Sequence, residues 1–221
     1  MTYYPIHLSL FRKHCLVVGG GAVGVRKVNT LLQCKATVSV VSPTVLPMIQ
    51  DLANQEKISL FLRPYQRNDL DSIFLVFATT NQVTINQRIA DDAHKRDILC
   101  NIADAPDSSN FILPSFFTRG DLMITISTNG KSPALAKRLR KQLEIQFGDE
   151  YAILLQIMGA IRNHILATNH DPDHHKILFH QFLDDDLLTM ITNQNWKQID
   201  IYLKDKIGLT LSELMGPDWI K

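Results

Sequence analysis

The sequence lacks the features that mark most specialised classes of protein. Its 221 residues carry a net charge of only +1, so the electrostatics of the whole molecule favour neither nucleic acid nor an anionic membrane as a partner. No apolar run approaches the roughly 18 residues that a membrane span needs. The first residues lack the basic start and apolar core of a signal peptide. We therefore expect no membrane span and a cytoplasmic location.

Cysteine is scarce, and neither cysteine nor histidine shows the spacing of a metal site. Cys15, Cys34 and Cys100 lie far apart, and we interpret them as small buried side chains in a reducing compartment. Histidine is concentrated in the second half of the chain. His170 and His174 have the i, i+4 spacing of one helix face, but Pro172 lies between them. We interpret these histidines as surface residues and predict no metal site among them: His164, His170, His174, His175 and His180.

The most informative glycines form a single pattern after an apolar segment. Cys15–Val18 is typical of a short buried strand, and it runs directly into Gly19-x-Gly21-x-x-Gly24 and a helix-compatible stretch. In this context the first glycine permits a tight turn, the second lets a pyrophosphate approach, and the third lets the helix pack on the strand. The N-terminus of the helix then faces the phosphates. The pattern predicts a dinucleotide-binding turn.

Strand-like and helix-like segments alternate through the first half of the chain. Short strands separated by helices of this length predict βαβ units and a parallel, Rossmann-type sheet over residues 1–113. The predicted strands are Cys15–Val18, Thr37–Val41, Ile58–Leu62, Ile73–Phe77 and Ile98–Ile102, and the predicted helices are Val23–Cys34, Thr44–Gln55 and Val83–Lys95.

The end of the second predicted strand bears on the choice of cofactor. An acid about 20 residues beyond the glycines would bind the ribose hydroxyls of NAD, but this position reads Ser42, Pro43 and Thr44. No acid follows before Asp51 and no base before Lys57. Hydroxyl and backbone groups can hold an unphosphorylated ribose, so NAD is favoured over NADP.

Polar residues follow the fourth and fifth predicted strands. Because ligands of open α/β sheets bind outside the carboxyl ends of the strands, Thr79, Thr80 and Asn81 are candidate cofactor contacts, although Asn81 also suits a helix cap. Asp104 lies at the same edge. A carboxylate there can accept a proton while a hydride leaves for NAD, but a turn aspartate two residues before Pro106 is the alternative.

The character of the chain changes near residue 114. Leu122–Ser127 alternates as a strand, Ser132 and Pro133 suit the start of a helix, and a basic helix follows from Ala134 to about Phe147. We predict a small α+β connector over residues 114–148. From residue 149 to residue 221 the periodicity predicts a helical domain.

Five positive charges fall within eleven residues around the start of the basic helix: Lys131, Lys137, Arg138, Arg140 and Lys141. Lys137 and Lys141 share a helix face. Such a run is either a solvated surface or a site for a ligand with several carboxylates. The candidate substrate-binding residues are Lys131, Ser132, Lys137, Arg138 and Arg140.

Several segments in the right order resemble the precorrin-2 dehydrogenase/sirohydrochlorin ferrochelatase family, including the N-terminal half of bifunctional siroheme synthases. They lie within about the first 145 residues and read YYPIHLSLFRKHCLVVGGGAVGVRKV, FATTN, CNIADAP, FILPSFFTRGDLMITIST and GKSPALAKRLRKQLE. The resemblance implies NAD-dependent oxidation of precorrin-2 to sirohydrochlorin, and insertion of Fe²⁺ as a second activity. A dehydrogenase without chelatase activity and a non-catalytic sensor of NAD or tetrapyrrole are the alternatives.

The resemblance also assigns roles to residues. It places the key acid at Asp104 and the NAD contacts at Gly21, Ala22, Val23 and at Ser42, Pro43 and Thr44. The substrate is a tetrapyrrole with eight carboxylates, which gives the basic helix a ligand. The resemblance further implies a homodimer whose contacts involve the connector, and it places Thr128 where a bacterial relative carries a regulatory serine.

Overall fold

The computed structural model describes residues 3–103, 105–168, 179–183, 186–217 and 219. The chain divides into two compact units, and the boundary falls between Leu113 and Pro114. A further boundary after residue 148 stays a prediction. Among the described residues, no helix is both long enough and apolar enough to cross a membrane.

The first unit is built on a five-stranded sheet, and every pair of neighbouring strands is parallel. The strand order β3-β2-β1-β4-β5 places β1 at the centre, beside β4. The predicted parallel, Rossmann-type sheet is therefore confirmed. Its strands are β1 (His14–Gly20), β2 (Thr37–Val45), β3 (Ser59–Phe61), β4 (Leu75–Ala78) and β5 (Leu99–Ile102), and its helices are α1 (Ala22–Gln33), α2 (Pro47–Asn54) and α3 (Val83–His94).

Helices cover both faces of this sheet. Val28 of α1 and Ile49 of α2 pack with one set of strand side chains, and Ile89 of α3 packs with the other set. Because both faces are buried, the strands are almost continuously apolar. Desolvation in this core raises the pKa of Cys15 and of Cys100 to about 11, so both thiols stay neutral. Cys34 is exposed, which corrects the prediction that all three cysteines are buried.

The second strand is longer than predicted. Val18 pairs with Val41, whereas Gly20 pairs with Val45, so β2 holds two extra residues in an irregularity between these pairs. Thr44 therefore belongs to the strand and does not begin the next helix. That helix starts at Pro47, because proline fits the first helical position without losing a hydrogen bond.

The second unit begins with an antiparallel hairpin and continues as helices. The sequence predicted β7 but missed β6, whose consecutive phenylalanines do not alternate in polarity. Ile157, Phe182 and Leu203 belong to the buried cluster of the helices. The elements are β6 (Ser115–Arg119), β7 (Leu122–Ile126), α4 (Pro133–Gln146), α5 (Glu150–Thr168), α6 (Leu187–Thr192), α7 (Trp196–Ile207) and α8 (Leu211–Met215).

Other predictions for the second unit have mixed outcomes. Ser132 caps α4 as predicted, since its hydroxyl accepts a hydrogen bond from the Leu135 N–H at 3.2 Å. Residues 179–183 are helical. A helix was predicted over His175–Phe182, and its first four residues lie outside the described residues, as do His170 and His174.

Candidate functional site

The turn between β1 and α1 requires its glycines for different reasons. Gly19 has φ of +119°, and a Cβ at this position would lie 2.7 Å from the backbone oxygen of Thr79. A Cβ on Gly24 would lie 2.2 Å from the backbone oxygen of Gly19. These two glycines let helix, turn and β4 approach each other closely. At Gly21, by contrast, a Cβ would meet no atom within 4 Å, so this side of the turn is open.

The start of α1 faces the open side of the turn with unused donors. Gly21 is the N-cap and supplies no side-chain cap, and the first helical bond runs from the Val25 N–H to the Gly21 carbonyl at 3.0 Å. The N–H groups of the first helical turn, which begins at Ala22 and Val23, therefore have no acceptor within the helix. An open glycine turn at the positive end of a helix suits a phosphate group.

Thr79 joins the two central strands just beyond the end of β4. Its N–H donates to the Val18 carbonyl at 2.8 Å, and its hydroxyl donates to the same oxygen at 3.0 Å. The side chain is only 9% exposed. This candidate cofactor contact thus has a structural partner of its own, and it holds the glycine turn beside β4.

The irregular end of β2 presents the predicted ribose contacts. Ser42 is buried and its hydroxyl donates to the Thr44 carbonyl at 2.6 Å, whereas Pro43 and Thr44 are exposed. The exposed polar groups at this end of β2 therefore belong mainly to Thr44.

The segment after β4 is held by a residue that the sequence analysis did not single out. Asn86, in α3, accepts hydrogen bonds from the N–H and the hydroxyl of Thr80 at 3.2 Å and 2.7 Å, and its amide donates to the Thr80 carbonyl at 2.9 Å. The N-cap of α3 is Gln82, which makes no side-chain cap. The capping role considered for Asn81 is therefore wrong, and Asn81 remains a candidate ligand contact.

The end of β5 is fixed by side chains from the segment that follows it. Asn110 accepts from the Cys100 N–H at 2.8 Å, and Ser109 accepts from the Ile102 N–H at 2.9 Å. The Ser109 hydroxyl also donates to the Ala105 carbonyl at 3.0 Å. These bonds anchor the two ends of the connection that contains Asp104. Asp104 itself lies outside the described residues, so the placement of its carboxylate stays a prediction.

In the second unit, α4 separates its cations into two groups. Lys137, Arg138 and Lys141 line a shallow pocket of about 440 Å³ together with Ile145 and other residues. Arg140 is not part of this lining and pairs with Glu144 at 2.5 Å. The helix therefore offers three cations around one open pocket, and Arg140 is engaged elsewhere.

The turn before α4 positions the remaining candidates of this unit. Asn129 has φ of 51°, and the Lys131 N–H donates to the Thr128 carbonyl at 3.0 Å. The Thr128 hydroxyl accepts from the Ser132 N–H at 3.1 Å. Among the residues that the structure describes, no three His, Cys, Asp or Glu side chains are grouped to hold a metal ion.

Two family models match consecutive parts of the chain. The model described as putative NAD(P)-binding matches residues 6–115, which include the whole parallel sheet. The model described as sirohaem biosynthesis protein central matches residues 119–146, from the last residue of β6 to the end of α4. The chain is therefore similar to NAD(P)-binding proteins in its first matched segment and to sirohaem biosynthesis proteins in its second.

Siroheme synthases align with most of this chain. The siroheme synthases of Salmonella typhimurium and Salmonella dublin are each 38% identical to it over 162 residues, which are 73% of this chain and 35% of each relative. The chain thus spans about a third of the length of the curated relatives it matches.

A solved structure resembles nearly the whole chain. The structure of SirC, precorrin-2 dehydrogenase, matches with a TM-score of 0.76 and 28% identity, covering 90% of this chain and 100% of that one. The similarity therefore extends beyond the glycine motif and includes residues of both units.

Proposed function

We propose that this protein oxidises precorrin-2 to sirohydrochlorin with NAD as the hydride acceptor. The observation that carries the proposal is the open glycine turn at the positive end of α1, beside β4, in a chain that is similar to sirohaem biosynthesis proteins. The likeness to SirC, precorrin-2 dehydrogenase, supports the reaction, since it covers 90% of this chain. Fold alone does not establish an activity, so the site must supply the chemistry.

The residues of the turn fit a dinucleotide. The open space at Gly21 would admit a pyrophosphate, and the N–H groups at Ala22 and Val23, which have no acceptor within the helix, would bind it. Gly19 and Gly24 keep the helix close to the strand, and Ser42, Pro43 and Thr44 border the ribose. Thr79, Thr80 and Asn81 would border the nicotinamide half, because β4 lies on the other side of β1 from β2.

Asp104 is our candidate for the group that moves the proton. When bound, NAD supplies the hydride-accepting ring. In sequence, Asp104 follows Ile102, the last residue of β5, by two positions, and β5 is the neighbour of β4 in the sheet. Its carboxylate accepts the proton that the substrate loses as its hydride departs. The hydrogen bonds from β5 to Ser109 and Asn110 would hold the segment that follows β5 in place during the reaction.

The basic pocket of α4 is our candidate for binding substrate carboxylates. The pocket is surrounded by three cations, Lys137, Arg138 and Lys141, and its lining also includes the apolar side chain of Ile145. This arrangement suits the rim of a polycarboxylate ring. Lys131 and Ser132 precede this helix and belong to the same proposed surface. Arg140 has a weaker claim than its neighbours, because Glu144 already neutralises it.

The β6–β7 hairpin is our candidate for the contact between two copies of the chain. Phe116 and Met123 lie on its outward face and are 42% and 45% exposed. A two-stranded sheet with large apolar residues outside is marginal without a covering layer. A second copy provides that layer in a homodimer, which the resemblance also implies.

The proposed reaction is tested by anaerobic incubation of the purified protein with precorrin-2 and NAD. We expect NADH and sirohydrochlorin to form together, and Asp104→Ala to abolish both while NAD still binds. Undiminished turnover by this variant would remove Asp104 from the mechanism, and absence of turnover by the wild type would contradict the proposed activity. Iron insertion rests on the resemblance alone, and it is tested by adding Fe²⁺ to the sirohydrochlorin so produced.

A further inference from the structure

A cation that is distant in sequence lies at the same end of the sheet as the proposed ribose site. Val41 of β2 and Phe61 of β3 form the last pair between these parallel strands. Parallel strands leave a sheet at the same edge, so the segment from Ser42 to Thr44 and the segment from Leu62 to Arg63 emerge side by side. Arg63 is the first cation in the chain after the end of β3.

Three of the five N–H donors of the Arg63 guanidinium are already engaged. Its two terminal nitrogens donate to the two carboxylate oxygens of Asp69 at 2.9 Å and 2.5 Å. It also donates to the Pro64 carbonyl at 3.1 Å and lies over the Phe61 ring, 5.4 Å from its centroid. This bidentate arrangement uses the same donors that arginine would offer to a phosphate.

Asp69 is held firmly as the partner. Its side chain is only 8% exposed, and it also accepts from the Gln66 N–H at 2.7 Å. Burial alone would raise the pKa of Asp69, but the hydrogen bonds from Arg63 and Gln66 outweigh burial and lower that pKa below its ordinary value. Asp69 therefore remains ionised at neutral pH, and the ion pair persists.

We propose that Asp69 makes the site selective for NAD over NADP by occupying the Arg63 guanidinium beside the ribose-binding end of β2. The inference rests on the proposed dinucleotide site. A ribose with free hydroxyls needs no cation, whereas a 2′-phosphate needs one. Residues 42–46 supply no cation, so a 2′-phosphate would have to compete with Asp69 for Arg63.

The test measures equilibrium binding of NAD and of NADP to the full chain by titration calorimetry. Asp69→Asn removes the negative charge and one of the two oxygens that accept from Arg63, and we expect the Kd for NADP to fall about tenfold while the Kd for NAD changes less than about twofold. The double variant Arg63→Gln/Asp69→Asn should lose this gain. Asp69→Ser provides an independent variant, since a serine hydroxyl still accepts from the Gln66 N–H.

A matched control is available in the same connection. Asp71 pairs with Arg96 at 2.6 Å, and these residues precede β4 and β5, at the amino end of the sheet. Asp71→Asn also disrupts an ion pair of an arginine, but at the edge of the sheet opposite the proposed ribose site. The ratio of its Kd values for NAD and NADP should therefore equal that of the wild type.

The outcomes separate the two levels of the proposal. If the wild type binds NAD but Asp69→Asn and Asp69→Ser leave NADP affinity unchanged, the role of Asp69 is overturned and the dinucleotide site stands. A gain that survives in the double variant would likewise overturn the role of Arg63. If neither dinucleotide binds the wild type, the proposed function fails and the selectivity role fails with it.

Discussion

The hydroxyl of Thr79 donates a hydrogen bond to the carbonyl of Val18 at 3.0 Å, which ties β4 to β1 where the glycine turn begins. The same threonine leaves no room for a side chain on Gly19, because a Cβ at that position would lie 2.7 Å from the Thr79 oxygens. The tight turn and the strand beside it are therefore one unit, and a change in either should affect the other.

Thr79→Val tests this bond directly. Valine has nearly the same shape but no hydroxyl, so we expect the free energy of unfolding to fall by about 1–2 kcal/mol. The Kd for NAD should also rise, because the turn is less well held. Denaturant unfolding and NAD titration measure the two effects. A variant as stable as the wild type would show that the backbone bond from Thr79 to Val18 is sufficient.

Gly24→Ala and Gly21→Ala form a matched pair. At position 24 the new Cβ would lie 2.2 Å from the Gly19 oxygen, so the helix must shift and we expect a loss of stability of about 1–3 kcal/mol. At position 21 the Cβ enters open space, and φ of −82° suits alanine.

Gly21→Ala should therefore keep wild-type stability but bind NAD more weakly, because its methyl group occupies the space for the pyrophosphate. Thermal unfolding and calorimetry separate the two variants. Unchanged NAD binding by Gly21→Ala would contradict the placement of the phosphates at this turn.

If the basic pocket of α4 binds precorrin-2, removing its cations should raise the KM for precorrin-2 and leave the KM for NAD unchanged. Lys137→Ala/Arg138→Ala removes two of its cations, so we expect the KM for precorrin-2 to rise about tenfold or more with the KM for NAD unchanged. The effect should weaken at high salt. Lys197→Ala, an exposed cation on α7, is the control and should leave both KM values unchanged. Equal effects on both substrates would argue against the pocket.

The cysteines predict an accessibility pattern and a pH dependence. Cys34 should react with iodoacetamide in the folded protein, whereas Cys15 and Cys100 should react only on unfolding. The folded-state pKa of each buried thiol is raised from 9.0 to about 11, so the unfolded chain ionises first as the pH rises. Stability should therefore fall from about pH 9 towards pH 11. Mass spectrometry after alkylation and unfolding curves at each pH check these expectations.

The sequence was sufficient for the parallel sheet and the glycine turn because both depend on local patterns. Cys15–Val18 is apolar and the glycines follow at fixed spacing, so strand, turn and helix could be predicted without knowing their neighbours. The cap of α4 was predictable for the same reason, since Ser132 and Pro133 act within one helical turn.

Contacts that depend on the three-dimensional fold could not be predicted in this way. Asn86 binds Thr80, six residues earlier, across the turn before α3, and an asparagine within a helix carries no local signal of that role. The pairing of β2 with β3 places Phe61, two residues before Arg63, opposite Val41, although twenty residues separate the two in sequence. The irregular end of β2 depends likewise on its register with β1.

The most direct test of the central claim is the stoichiometry of hydride transfer under anaerobic conditions. The purified protein is supplied with precorrin-2 and limiting NAD, and NADH and sirohydrochlorin are followed by absorbance. The account predicts one NADH for each sirohydrochlorin, at a rate proportional to enzyme and greatly reduced in Gly21→Ala at subsaturating NAD. Sirohydrochlorin formed without NADH, or no enzyme-dependent product at all, would contradict it.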